Sequence, residues 1–147
     1  MLKVDKSQEP EYLTQTKRQI KNPKSSDAWQ DPAIKSIRTQ LREEMLNHQS
    51  GMCAYCEKTI TLDKSHIDHF RMRDRFPEQT LAFSNLWVSC GSDKDQQKHC
   101  AHHKDVQKLT KDDFLALPEF VDLDLSRVEF TETGRLVAKD PKDTVMI

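Results

Sequence analysis

Four cysteines constrain this chain more than any other feature, and all of them fall between residues 53 and 100. Cys53 and Cys56 form a Cys-x-x-Cys pair, and Cys90 and Cys100 supply a second pair. Two such pairs make the ligand set of a tetrahedral zinc ion. Five of the six histidines lie at or between Cys53 and Lys104. Between the cysteine pairs stands Asp68-His69, a carboxylate beside an imidazole. That pair suits a hard divalent cation better than a second zinc.

The start, MLKVDKSQEPEY, lacks the apolar stretch of a secretory signal. No run approaches the ~20 apolar residues of a membrane helix. The expected location is the cytoplasm, with no membrane contact. There thiols stay reduced, so the four cysteines predict a structural Zn²⁺ rather than disulfides.

The chain has 147 residues, 35% hydrophobic and 32% charged. One modest domain with a small apolar core follows, and a metal is a natural staple for it. The net charge of −1 gives no overall basic signature. A local basic surface, or a bound cation, can still receive phosphate.

Residues 1–27 are polar and read as a loosely structured arm with one short helix near Glu11–Ile20, its lysines solvated or in contact with DNA backbone or a partner protein. Asp31-Pro32 then opens the clearest helix, since Asp caps well and Pro suits the first helical position. Its apolar stripe is Ile34, Ile37, Leu41, Met45 and Leu46, and Gly51 follows its last turn. Ser65 to Phe70 reads as a strand. Leu81 to Val88 reads as a partly buried turn or short helix feeding Cys90. Arg127–Phe130 and Arg135–Ala138 flank a Gly-containing turn, which signals a hairpin. The predicted class is α+β, with an arm and helix over 1–50, a metal-stapled core over 51–105 and an extension with the hairpin over 106–147.

The residues leave more than one function open. His69 is the candidate general base of a metal-assisted hydrolysis, since an imidazole titrates near neutrality. Asp68 would then ligate the cation. His66 shares a strand face with Asp68 and would touch metal or phosphate, or hydrogen-bond to Asp68. Arg71 and Arg73 would grip phosphate, or pair with Asp74 and Glu78. The alternatives are a non-catalytic zinc-ribbon module that docks on a partner or nucleic acid, and a disulfide-linked structural domain. Trp29, Tyr55, Phe70, Phe83 and Trp87 read as core.

Taken in order, Cys53, Cys56, Asp68, His69, Asn85, Cys90, Cys100, His102 and Lys104 resemble the layout of HNH endonucleases of the ββα-metal fold. CAYCE, HIDHFR, FSNLWVSC and HCAHHK are similar, more narrowly, to the HNH component of Septu-type and retron-associated anti-phage systems, the PtuB-like family. The likeness is strongest over residues 28–105 and weaker at PEYL and RVEFTETGRLV.

The resemblance implies a small zinc-stapled ββα-metal core and a DNA endonuclease using Mg²⁺ or Mn²⁺, with RNA left open as substrate. It also implies a role in anti-phage defence beside an ATPase partner of the PtuA type. By the family's pattern, Asn85 fixes the loop that orients His69. The last ligand normally follows the final cysteine, where Ala101 stands here. The PtuB-like pattern shifts it by one and selects His102 over His103. The gap of nine residues between Cys90 and Cys100 is longer than in ordinary HNH sequences. His99 is a reserve zinc ligand should a cysteine not reach.

Overall fold

Helix α2, Pro32–His48, begins where the capping signal places it: the Asp31 carboxylate accepts the Ala33 N–H at 2.8 Å, and Pro32 occupies the first turn. Ile34, Leu41, Met45 and Leu46 on its apolar stripe are buried. Gly51 follows with φ +72°, the left-handed conformation that glycine takes without strain. In this computed structural model the described residues are 4–6, 8–91, 99–107, 109–116, 128–133 and 136–140. The chain divides into two units, residues 2–108 and residues 109–147, the latter grouped with Met1.

The first unit is built on a two-stranded antiparallel ribbon. Strand β1 (Ser65–His69) pairs with β2 (Leu86–Cys90) in the register Ser65↔Cys90, Ile67↔Val88 and His69↔Leu86. Both α2 and a short helix, α3 (Cys100–Val106), contact β2. All five β2 residues are therefore buried. Gln49, at the end of α2, acts as an extra peptide group. Its Nε2 donates to the Val88 carbonyl at 2.9 Å and its Oε1 accepts the Val88 N–H at 2.8 Å. The Arg42 guanidinium donates to the Ser65 carbonyl at 2.7 Å, which ties α2 to the start of β1.

The amino-terminal segment is more ordered than its polar composition indicates. Helix α1 (Glu11–Gln19) buries Leu13 completely, and Val4 and Ile20 are also buried. A few well-spaced apolar residues suffice to dock an otherwise polar helix. Lys6, expected in solvent, sits over the Phe83 and Trp87 rings at 4.2 and 4.5 Å and donates to the Phe83 and Leu86 carbonyls. Burial pushes its pKa down to about 7.

In the second unit, α4 (Lys111–Ala116) starts at a reciprocal cap: Asp113 accepts the Thr110 N–H, and Thr110 accepts the Asp113 N–H. Strands β3 (Val128–Phe130) and β4 (Leu136–Ala138) form the antiparallel hairpin in the register Val128↔Ala138. The protein is a small α+β structure whose ribbon and following helix, β1-β2-α3, bring the chemistry-bearing residues together.

Candidate functional site

The four cysteines converge as their spacing predicts. The sulfurs of Cys53, Cys56, Cys90 and Cys100 all lie within 4.8 Å of one another. Cys90 Sγ is 3.5 Å from Cys100 Sγ and 3.9 Å from Cys56 Sγ. A tetrahedron with Zn–S bonds of about 2.3 Å has edges of roughly 3.8 Å. The cluster thus fits a metal ion, and its separations are far longer than an S–S bond of about 2.05 Å.

The cluster is pinned to the ribbon. Ala54 donates its N–H to the Val88 carbonyl at 3.0 Å, and Cys53 Sγ accepts the Cys90 N–H at 3.3 Å. Burial alone would raise the Cys53 thiol, but the N–H groups of Cys56, Cys90 and Tyr55 outweigh it and bring the thiol down to about 7. Burial pushes the Cys90 thiol up to about 11 and raises Cys100 further. A bound cation would reverse that, since it favours thiolates. All four cysteines reach the cluster, so His99 is not needed to complete it. Its Nδ1 stands 3.4 and 3.5 Å from Cys100 Sγ and Cys90 Sγ. The loop residues 92–98 lie outside the described residues.

The second cluster lies along β1, whose two faces meet different neighbours. On the α3 side, Asp68 is buried and accepts the Tyr55 hydroxyl on Oδ2. The Lys104 ammonium stands 3.4 Å from Asp68 Oδ1 and donates to the His69 carbonyl at 3.0 Å. Burial raises the Asp68 pKa, with Lys104 opposing it. His66 shares this face. Its Nδ1 lies 2.8 Å from the Gly91 carbonyl, which can only accept, so Nδ1 carries the proton and Nε2 holds the lone pair. The His66 and His102 rings are 4.6 Å apart, and the buried His102 Nε2 has no hydrogen-bond partner among the described residues.

On the α2 side, His69 meets the edge of Trp29 at 4.7 Å between ring centroids. His69 Nε2 lies 2.9 Å from the Thr80 carbonyl, so Nε2 is protonated and Nδ1 is left as the basic nitrogen. Burial, and next the nearby Arg73 cation, lower the His69 pKa to about 3. The ring is therefore neutral at neutral pH. Thr80 belongs to the loop between the strands, and that loop is held from within. Asn85 Oδ1 accepts the Arg71 N–H, and its Nδ2 donates to the Arg71 and Gln79 carbonyls. Asn85 thus sets the place of the carbonyl that sets the tautomer of His69.

Trp29, Arg38, His66, Asp68, His69 and His102 line one cleft of about 610 Å³, together with Arg73, Asp74 and Asp105. His103 lies outside it, exposed and bonded to Gln107. Arg73 lines the cleft and donates to the Ser26 carbonyl at 3.3 Å rather than to an acid. Arg71 is turned away, its guanidinium 5.6 Å from the Phe76 ring. Tyr55, core by its sequence, and Lys104, a motif residue with no role evident from its sequence, both hold Asp68. The signal for Tyr55 was its hydroxyl, because a buried phenol seeks a partner.

No protein-family model matches the chain. A curated protein described as "Retron Vc95 putative HNH endonuclease", from Vibrio cholerae serotype O1 biovar El Tor, is 24% identical over 74 residues. The match covers 48% of this chain and 36% of that protein, so the chain spans well under half of its relative's length. No helix among the described residues is long and apolar enough to cross a membrane.

Proposed function

We propose that this chain is a metal-dependent HNH endonuclease that hydrolyses phosphodiester bonds in DNA. One observation carries the reading. A neutral imidazole, with one nitrogen fixed on a backbone carbonyl and the other basic, lines the same cleft as a buried carboxylate and a histidine nitrogen that has no partner among the described residues. The distant likeness to the retron endonuclease supports it.

In this reading His69 Nδ1 takes the proton from the attacking water. Burial keeps the ring unprotonated at neutral pH, and a pKa raised toward neutrality by bound substrate would make it a stronger base. Burial is the main cause of the ring's low pKa; substrate phosphate beside Arg73, Lys104 and Arg38 would offset the smaller part that these cations contribute. Arg73 neutralises phosphate in the cleft. Asp68 and His102, with His66 Nε2 beside them, would hold Mg²⁺ or Mn²⁺, and the buried His102 Nε2 fits a ligand role. When bound, that cation would stabilise charge on the phosphate and leaving oxygen. Structural Zn²⁺ on the four cysteines would staple a chain with a small core.

The finer reading is an effector of anti-phage defence of the PtuB-like kind, acting in the cytoplasm with an ATPase partner of the PtuA type. The motifs CAYCE, HIDHFR and HCAHHK support it. A bare zinc-ribbon module has no need of the Asn85–Thr80–His69 arrangement. The test is cleavage of plasmid and phage DNA with Mg²⁺ or Mn²⁺, alone and with the co-purified partner. His69→Ala should lower the rate ~10²–10⁴-fold and leave the bound zinc in place. Near-normal cutting by that variant would remove His69 as the base.

A further inference from the structure

A second groove, of about 280 Å³, continues from the cleft along α2 and is lined by Trp29, Lys35, Arg38, Thr39, Arg42 and Ile67. Trp29, Arg38 and Ile67 line both hollows, so the two are contiguous. Their charges differ. The cleft carries Asp27, Asp68, Asp74 and Asp105, which suit a cation. Among the described residues the groove carries three cations and no acid. Lys35, Arg38 and Arg42 recur at i, i+3 and i+7, which places them in one row on the helix. This row is separate from the buried stripe of Ile34, Leu41 and Met45.

Two of the cations are held in place. Arg38 lies over the Trp29 ring at 4.6 Å and donates to the Trp29 carbonyl, and Arg42 donates to the Ser65 carbonyl. Lys35 is exposed and pairs with no acid among the described residues. Among the described residues the groove's lining is basic, although the chain's net charge is −1. From Lys35 to Arg42 the helix rises roughly 10 Å, about three nucleotides of one B-DNA strand.

We propose that this groove is a phosphate-backbone track. It receives the DNA strand that leaves the cleft, with Lys35, Arg38 and Arg42 on phosphates spread over about three nucleotide steps. The proposal rests on the nuclease reading and extends it to the direction in which the substrate lies. It also accounts for DNA binding without base recognition, because every named contact is to backbone.

The test is the salt dependence of binding. A fluorescent 20-base-pair duplex is titrated with the full chain, without added divalent cation, over a series of salt concentrations. Each lost phosphate contact lowers the slope of log K against log salt by about 0.9. Lys35→Ala should lower the slope by about that much, and Thr39→Lys, at an exposed groove position, should raise it. Lys58→Ala, exposed and outside the groove, should leave it unchanged. If wild-type chain binds the duplex, and cuts it once Mg²⁺ or Mn²⁺ is added, but Lys35→Ala and Thr39→Lys keep its slope, the track is wrong and the nuclease reading stands. If wild-type chain neither binds nor cuts DNA, both are overturned.

Discussion

Asn85 grips both backbone groups of Arg71: its Oδ1 accepts the Arg71 N–H at 2.7 Å and its Nδ2 donates to the Arg71 carbonyl at 3.0 Å. A third bond, to the Gln79 carbonyl at 3.1 Å, reaches the residue before Thr80. One buried amide thereby closes the loop on which the tautomer of His69 depends. Asn85→Ala removes all three bonds and strands their partners. It should destabilise the fold by about 2–4 kcal/mol. It should also lower kcat about 10²-fold through a misplaced His69 while the Kd for DNA stays near wild type. Denaturant titration and single-turnover kinetics test this. A variant as unstable as expected, yet with full kcat, would show that Asn85 does not position the base.

The cysteine cluster should carry one tightly held zinc per chain, measurable by elemental analysis. Cys53→Ser, or stripping with a strong chelator, should unfold the chain, because the metal's binding energy is folding energy in so small a core. A zinc-free Cys53→Ser chain with native circular dichroism would contradict the structural role.

His102 lines the cleft beside His66, whereas His103 is exposed and bonded to Gln107. Adjacent helical residues point about 100° apart, so one of them at most can serve the cation. His102→Ala should raise the Mg²⁺ or Mn²⁺ concentration needed for half activity ~10–100-fold, as expected when a metal site loses support. His103→Ala should shift it little. The reverse pattern would move the ligand by one residue.

Lys6 should make stability depend on pH. Its folded pKa is lowered to about 7 by burial, from 10.5. Between those values the unfolded chain holds a proton that the folded chain lacks. Stability from this group is therefore complete above pH 10.5 and lost as pH falls toward 7. Wild type minus Lys6→Met, compared by denaturation at successive pH values, should rise with pH across that window. A flat difference would mean the two rings and two carbonyls hold the ammonium as well as water does.

The sequence by itself determined the local and short-range parts. The cap at Asp31, the stripe of α2, the paired cysteines and the hairpin around residues 131–134 follow from backbone preferences and ligand spacing. Asp68 and His69, as strand neighbours, had to face opposite ways. What only the tertiary structure decided are the partners reached across the chain. Tyr55 and Lys104 meet at Asp68, the Thr80 carbonyl sets the His69 tautomer, and Lys6 lies on Phe83 and Trp87. The basic row on α2 is spaced like any solvated helix face, and only its position beside the cleft distinguishes it. The physical reason is common to these cases. Periodicity reports which side of an element is apolar, but a buried polar group takes whichever donor or acceptor packing brings within 3 Å or so, and sequence separation does not encode that.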